Sequence, residues 1–286
     1  MKKILVTGAN GQLGQCLQKI SSQFEEFEFI FTDSETLDIT NKEEVNDFFW
    51  QNAPDFCINA AAYTAVDLAE TDIEKAFLVN ADGAENLAEA CAENNAQFIH
   101  VSTDYVFDGE NNLAYTEEEF TNPLGVYGAS KLAGDELALE VNPCSVILRT
   151  SWVYSEFGKN FVKTMLNLFA TKEELNIVAD QFGQPTNAND LAEAIMKIIK
   201  SEKITPGIFN FSNLGRISWF DFAEKIAELS EAKIKLNAIE TSQYPTPAKR
   251  PKNSVLDLDK ISKTYAIQLK PWEESLEDCV QILQNN

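Results

Sequence analysis

A glycine-rich turn near the start of the chain constrains the fold more than any other feature. Gly8, Gly11 and Gly14 follow the apolar run Lys3–Thr7 and precede a stretch with helical periodicity. A strand, a glycine turn and a helix in this order form the first unit of a parallel α/β sheet. Backbone amides at such a helix start bind the pyrophosphate of a dinucleotide. The spacing here is GxxGxxG rather than GxGxxG, and a purely structural turn is the alternative interpretation.

The same alternation of strands and helices continues through the first half of the chain. Short buried runs at Phe27–Thr32, Phe56–Asn59, Gln97–Ser102 and Ser145–Arg149 are separated by helical patterns. This arrangement predicts an α/β fold with a Rossmann-like doubly wound parallel sheet. The pattern is less regular after residue 150. We therefore predict a dinucleotide-binding domain over residues 1–150 and a smaller C-terminal, mainly substrate-binding lobe over 151–286, with some segments returning to the first domain.

Two helices of the first half have clear sequence signals. The run Thr40-Asn-Lys-Glu43 has the pattern of a capping box, which predicts that a helix starts there. The segment from Ile73 to Glu93 places small residues along one side and predicts a single long helix packed on the sheet.

Tyr127 and Lys131 form a candidate catalytic pair. Residues four apart on a helix share a face, so the phenol and the ammonium can point at one bound molecule. A phenol has an ordinary pKa near ~10, and a nearby fixed cation favours its ionised form. We expect Lys131 to lower the pKa of Tyr127, which then exchanges a proton with a substrate oxygen while a nicotinamide exchanges a hydride. Thr103, at the end of the preceding strand, could hydrogen-bond the same oxygen. A packing aromatic and a solvated lysine are the alternative.

Asp33 lies at the end of the second predicted strand, nineteen positions after Gly14. A carboxylate at this place accepts hydrogen bonds from the adenosine ribose and repels a 2′-phosphate. It therefore favours NADH over NADPH, although a plain loop aspartate is the alternative. Further candidates for the cofactor pocket follow the second and third strands: Asp38, Ile39, Ala61, Ala62 and Tyr63.

Other polar residues give weaker signals. His100 is the only histidine, and without a partner acid and nucleophile it makes no catalytic triad, so we interpret it as structural. Asp67, Asp72 and Asp104 do not have the spacing of metal ligands. No metal site is predicted from the residues.

Charge and cysteine content exclude several classes of protein. The formal net charge of -22 repels nucleic acids and anionic lipid surfaces, so neither is expected as a partner. The five cysteines are widely spaced and form no CxxC cluster, which indicates reduced thiols. The first apolar run ends at Thr7, too early for a secretory signal, and no stretch is long enough to span a membrane. We expect a cytoplasmic protein.

Five ordered motifs together resemble the dTDP-4-dehydrorhamnose reductase family of the extended short-chain dehydrogenase/reductases. They are the turn from Thr7 to Gly14, Ser102–Phe107, Val126–Lys131, Arg149–Tyr154 and Asp180–Thr186, and the resemblance covers nearly the whole chain. The resemblance implies reduction of the 4-keto group of dTDP-6-deoxy-L-lyxo-4-hexulose to give dTDP-L-rhamnose.

The resemblance also implies roles for single residues. Tyr127 would be the general acid, and Lys131 would tune it while binding the nicotinamide ribose. Thr103 and Asp104 would contact the sugar, and Trp152 would pack against it. A basic loop near the nucleotide diphosphate would include Arg250. The residues implied to line the cofactor are Gly11, Gln12, Leu13, Asp38, Ile39, Ala61, Ala62 and Tyr63.

Cofactor choice and assembly stay open at this point. The family commonly uses NADPH, whereas Asp33 favours NADH. Some members bridge dimers through Mg²⁺ and surface carboxylates, but Gln15 and Cys16 in the first helix supply none there. Mg²⁺ is thus expected from the resemblance alone, and both a monomer and a homodimer are possible.

Two other functions compete with reduction. Nucleotide-sugar dehydratases on this fold carry Thr-Asp-Glu, whereas here Tyr105 follows Thr103 and Asp104. A tyrosine cannot perform the elimination, so we favour reduction over a dehydratase or an epimerase. The other alternative is a non-catalytic NADP-binding regulatory subunit, like that of methionine adenosyltransferase. The intact pair of Tyr127 and Lys131 argues against it.

Overall fold

The computed structural model describes residues 1–285, and a six-stranded sheet forms its centre. The strands are β1 (Lys2–Thr7), β2 (Phe27–Phe31), β3 (Phe56–Asn59), β4 (Gln97–Thr103), β5 (Val146–Thr150), β6 (Val153–Tyr154), β7 (Glu174–Val178), β8 (Phe182–Gly183), β9 (Thr186–Asn187), β10 (Gly207–Asn210), β11 (Ile217–Ser218) and β12 (Lys235–Ile239).

The central sheet is parallel throughout and has the order β10-β5-β4-β3-β1-β2. The strand order reverses beside β1, because the chain runs outward to β2 and then returns to β3 on the other side. Thr7 at the end of β1 lies opposite Asn59 at the end of β3. Such a reversal leaves a crevice at the carboxyl ends of the strands. The predicted doubly wound parallel sheet is confirmed.

The helices cover both faces of the sheet and build the C-terminal lobe. They are α1 (Gln12–Ser21), α2 (Lys42–Asn52), α3 (Val66–Ala69), α4 (Ile73–Phe77), α5 (Gly83–Glu93), α6 (Val126–Val141), α7 (Phe161–Phe169), α8 (Ala188–Ile199), α9 (Trp219–Leu229), α10 (Asp259–Tyr265) and α11 (Trp272–Asn285). A π-helical turn covers Leu78–Asp82, and 3₁₀ turns cover Asp104–Val106 and Thr241–Gln243.

The alternating side chains of the strands place one apolar core on each face of the sheet. Ile4 and Val6 of β1 pack on one face in a buried cluster with Leu17 of α1 and Ile195 of α8. On the other face Leu5 lies in a cluster with residues of α2, α5 and α6. Two buried faces explain why the strands read as nearly continuous apolar runs.

The C-terminal lobe has a core of its own, in which α7, α9 and α11 pack around Val162, Phe222 and Leu276. The parallel pair of β7 and β12 borders this core. The chain nevertheless crosses between the two parts, because β10 pairs with β5 and α8 packs against the first domain. The boundary at residue 150 therefore stays a prediction.

The structure departs from the sequence prediction in one helix interior and at one helix start. The predicted helix from Ile73 to Glu93 is divided by the π-helical turn into α4 and α5. The predicted capping box is displaced by one residue, since Asn41 is the N-cap of α2 and accepts from the Glu44 amide. The Thr40 hydroxyl instead donates to Asp38 at 2.7 Å. Local hydrogen bonds of Asp38 thus decide where α2 begins.

All five cysteines are unpaired. None of the helices within residues 1–285 has the length and hydropathy needed to cross a bilayer.

Candidate active site

A cleft of about 890 Å³ opens at the carboxyl ends of the central strands. It lies over the point where the strand order reverses, between β1 and β3. Most residues predicted for the site line it: Gly8, Gly11, Gln12, Leu13, Asp33, Asp38, Ile39, Ala61, Ala62, Thr103, Asp104, Tyr127, Lys131 and Trp152. The fold therefore brings together residues that are more than a hundred positions apart in the sequence.

The glycine turn forms a cradle that a phosphate group fits. Gly8 has a φ of +68°, and a Cβ at this position would lie 2.6 Å from the Ala61 amide nitrogen. Gly11 is the N-cap of α1, and no described side chain caps the helix there. The amides of its first turn are thus left for an anionic ligand.

Asp33 lies at one end of the cleft, where its carboxylate is already held by neighbours. One oxygen accepts from the Asn10 amide at 2.6 Å, and the other accepts from the Thr36 hydroxyl at 2.9 Å. The hydrogen bond from Thr36 contributes most to lowering the pKa of Asp33. Ser34 and Glu35 line the same end of the cleft. This end is therefore acidic.

Two lysine side chains line the cleft within residues 1–285. One is Lys131, and the other is Lys159, which the sequence analysis missed. Lys159 is exposed and follows Gly158, whose Cβ position lies 3.0 Å from the Gln12 side chain. A loop from the second half of the chain thus places a cation beside the glycine turn. Asn160 holds this loop in place by donating to Gln12 Oε1 at 2.8 Å.

Tyr127 and Lys131 lie in the first two turns of α6 and both face the cleft. Burial raises the pKa of Tyr127 to about 12, the hydrogen bond with Thr103 opposes this, and the charges of Asp104 and Asp135 add to it. The expectation that the pKa of Tyr127 is lowered is therefore wrong. Desolvation of the phenol outweighs any help from the lysine.

Lys131 is directed toward the sheet and is almost fully buried. Its Nζ lies 3.0 Å from His100 Nε2 and donates to the Val101 carbonyl at 2.8 Å. Burial lowers the pKa of Lys131 to about 8, although the charge of Asp135 opposes the shift. The interpretation of His100 as purely structural left this contact out. The contact between His100 and Lys131 exists because α6 packs against β4, and the sequence pattern does not predict that packing.

Thr103 and Asp104 stand at the end of β4, opposite Tyr127. The Thr103 hydroxyl donates to Asp104 Oδ1 at 3.0 Å and accepts from the Tyr105 amide at 3.2 Å. Burial raises the pKa of Asp104 to about 7, while the neighbouring Ser254 and Thr103 side chains oppose the shift. The second carboxylate oxygen of Asp104 has no hydrogen-bond partner within residues 1–285. A polar ligand in the cleft could satisfy it.

Trp152 has an unusual backbone conformation, with a φ of +48°. Its indole stacks on Trp219 at a centroid distance of 3.5 Å, and a Cβ on Gly183 would lie 2.5 Å from the indole. The ring is therefore fixed between Trp219 and Gly183. Trp219 also lines the cleft, so an aromatic pair rather than a single indole forms this wall.

Three predicted residues do not line the cleft. Gly14 packs against the backbone of the glycine turn. Tyr63 turns its hydroxyl toward Asp72 at 3.1 Å. Arg250 makes two hydrogen bonds to Asp67, at 2.8 and 2.9 Å. For Arg250, the charge pairing with Asp67 explains the difference from prediction, because an adjacent carboxylate competes with any phosphate for the guanidinium.

No three His, Cys, Asp or Glu side chains of residues 1–285 are grouped so that they could hold a metal ion. The magnesium expected from the family resemblance therefore stays a prediction.

Known proteins match this chain over nearly its full length. A family model described as "RmlD substrate binding domain" matches residues 1–285. A dTDP-4-dehydrorhamnose reductase of Aggregatibacter actinomycetemcomitans is 44% identical, with 97% of this chain and 98% of that protein covered.

Two solved structures agree with this result. A dTDP-4-dehydrorhamnose reductase from Clostridium acetobutylicum superposes with a TM-score of 0.94 at 43% identity, covering 99% of each chain. One from Bacillus anthracis, solved in complex with NADP, gives a TM-score of 0.95 at 39% identity and covers 99% of this chain and 100% of that one. The chain belongs to the dTDP-4-dehydrorhamnose reductase family.

Proposed function

We propose that the protein reduces the 4-keto group of dTDP-6-deoxy-L-lyxo-4-hexulose to give dTDP-L-rhamnose. The observation that carries this proposal is the position of Tyr127, Lys131 and Thr103 on the same cleft as the uncapped glycine turn. The names of the relatives support the substrate class.

Tyr127 is the proton donor in this proposal. When bound, a reduced nicotinamide would supply the hydride that reaches C4 of the sugar. The oxygen on C4 then takes the phenolic proton of Tyr127 and becomes the new hydroxyl group. A phenol with a pKa of about 12 keeps its proton at neutral pH. Such a group suits reduction, in which the enzyme must donate a proton rather than remove one.

Thr103 and Asp104 orient the sugar beside Tyr127. Because the Thr103 proton already goes to Asp104, the Thr103 oxygen can act only as an acceptor, as it already does for the Tyr105 amide. The unpartnered oxygen of Asp104 offers a further acceptor for a sugar hydroxyl. Lys131 keeps an N–H bond free for the ribose of the cofactor, and the stacked pair of Trp152 and Trp219 forms the apolar wall.

NADH is the preferred cofactor in this proposal. The uncapped first turn of α1 and the Lys159 ammonium would meet the pyrophosphate. The adenosine end of the cleft carries Asp33, Glu35 and Asp38 and no lining cation within residues 1–285. A 2′-phosphate there would be repelled by these carboxylates, whereas a ribose hydroxyl can donate to Asp33.

The cofactor preference is tested with Asp33→Ala. Removing the carboxylate should relax the preference, so the ratio of kcat/KM for NADH over that for NADPH should fall by about tenfold, which corresponds to ~1.4 kcal/mol. Asp47→Ala on the exposed side of α2 is the control and should leave the ratio unchanged. Equal ratios for Asp33→Ala and the parent would remove Asp33 from ribose recognition.

The reaction itself is tested by following NADH and NADPH oxidation with enzymatically prepared dTDP-4-keto-6-deoxy sugars. The expected product is dTDP-L-rhamnose, identified by NMR of the new C4 hydroxyl. Formation of a 4-keto-6-deoxy product from dTDP-glucose and NAD would instead identify a dehydratase. Cofactor binding without oxidation on any keto sugar would identify a regulatory subunit.

We propose the cytoplasm as the location, which agrees with the unpaired cysteines.

A further inference from the structure

The hydrogen bonds behind Lys131 fix the tautomer of His100. Asn59 Oδ1 accepts from the Ala61 backbone amide at 3.1 Å and from the Thr7 hydroxyl at 2.8 Å. A backbone N–H can only donate, so the orientation of the Asn59 amide group is determined. Its NH₂ group therefore faces His100 Nδ1, at 3.0 Å. The donor on Asn59 requires an unprotonated Nδ1, which must act as an acceptor.

The proton of the neutral imidazole must then sit on the other nitrogen. A neutral histidine has one donor and one acceptor nitrogen, so His100 Nε2 carries the hydrogen. This N–H lies 3.0 Å from Lys131 Nζ. An ammonium group has three donors and no acceptor, so a charged Lys131 would set two donors against each other. A neutral amine accepts from Nε2 and still donates to the Val101 carbonyl at 2.8 Å.

We propose that His100 is a positioning residue that, with its tautomer set by Asn59, lowers the proton affinity of Lys131 and so favours the neutral amine. The four groups form one chain from the glycine turn to the catalytic lysine: Thr7, Asn59, His100 and Lys131. This inference rests on the proposed role of Lys131 at the cofactor ribose. The state of the histidine, however, can be measured without any turnover.

The charged groups around this chain agree with the assignment. Asp135 on α6 has an oxygen 3.8 Å from His100 Nε2, and this carboxylate also favours a proton on Nε2. Arg149 on β5 offsets the charge of Asp135 at 3.3 Å. On the cleft side the nearby titratable groups include Tyr127, Tyr105 and Asp104. Burial lowers the pKa of His100 well below its ordinary value, so the imidazole stays neutral.

Since the chain contains a single histidine, its tautomer can be read without assignment. Protein labelled with [¹⁵N]histidine is studied by long-range ¹H–¹⁵N correlation between pH 6 and 9, with no ligand added. The expected pattern is the neutral Nε2–H tautomer throughout. A neutral Nδ1–H tautomer, or an imidazolium at pH 7, would overturn the proposal. This measurement needs no variant and does not depend on the substrate being correct.

Asn59→Asp tests the link to the lysine. A carboxylate accepts only, so it should pull the proton to Nδ1 and turn Nε2 into an acceptor for an ammonium. We then measure the Kd for NADH as a function of pH. The transition in Kd that reports the titration of Lys131 should move up by about one pH unit, a tenfold change in proton affinity. Asn142→Asp, a buried asparagine away from the cleft, is the matched control. If the tautomer of His100 changes but the pH of this transition does not, His100 does not set the proton affinity of Lys131.

Discussion

At the scale of single residues, the site combines a protonated phenol with a lysine of weakened basicity. Both shifts have burial as their main cause. The sequence predicted that Tyr127 and Lys131 face one ligand, and in the structure both residues line the same cleft. It could not predict the direction of the phenol's pKa shift, because that depends on how much water α6 and β4 exclude. The same limit applies to His100, whose partner is known only once α6 is placed.

Tyr127→Phe removes the proposed proton donor and little else. The ring, its packing on Tyr105 and the cofactor cradle all remain. We expect kcat to fall about 10²-fold or more, since general acid catalysis contributes that much, while the Kd for NADH stays within a factor of about two. Steady-state kinetics and fluorescence titration of NADH measure the two quantities. A variant with parental kcat would exclude Tyr127 from the chemistry.

Asp104 should make the stability depend on pH. Its pKa is about 7 in the folded protein and about 4 when unfolded. The folded state therefore binds more protons between these values, and stability from this group is lost as the pH rises from 4 through 7. Asp104→Asn removes the titration. We expect its melting temperature, relative to the parent, to rise between pH 5 and pH 8. A constant difference across this range would contradict the shift.

At the scale of elements, strands were easier to predict than helix interruptions. β1 to β5 were predicted to within one or two residues, because runs buried on both faces have a clear apolar signal. The π-helical turn between α4 and α5 had no such signal. It turns Asn80 inward, where its amide accepts from the Tyr63 amide at 2.8 Å and donates to Ser130 at 3.0 Å. Tertiary hydrogen bonds, which no local pattern shows, offset the lost helical ones.

The π-helical turn gives a prediction about stability. Asn80 joins the loop after β3 to α6, and it also donates to the Tyr63 carbonyl at 3.1 Å. Asn80→Ala leaves these partners unsatisfied in a buried place, which should cost about 1–3 kcal/mol of unfolding free energy. Asn94→Ala at the exposed end of α5 loses one hydrogen bond near solvent and should cost much less. Urea unfolding compares the two, and equal losses would mean that the turn does not depend on Asn80.

At the scale of the whole molecule, the sequence predicted the sheet and the cleft. It did not predict which residues of the C-terminal lobe line the cleft. The glycine turn and Asp33 lie at the ends of the first two strands, so their meeting follows from the parallel topology. Lys159 and Trp219 come from the second half and reach the cleft only because the chain returns there. Their positions depend on packing between the lobes, and no motif spacing in the sequence predicts that packing.

The net charge of -22 is the property that concerns every element at once. Like charges repel most strongly in the compact state, so screening by salt should stabilise the fold. Salt also weakens surface ion pairs. Most pairs here have at least one exposed partner, such as Lys263 with Asp259 and Lys235 with Glu174. Exposed pairs contribute only about 0–1 kcal/mol each, so relief of the global repulsion should be the larger effect.

We therefore expect the melting temperature at pH 7.5 to rise by several degrees between 0.05 and 0.5 M NaCl, as scanning calorimetry can show. A domain of this size shifts by about 2–4 °C for each kcal/mol. At pH 5, closer to the isoelectric point of about 4.4, the net charge is smaller and the gain should shrink. A melting temperature that falls with salt at pH 7.5 would mean that the ion pairs outweigh the repulsion. Local ion pairs would then contribute more to the stability than the long-range repulsion between like charges takes away.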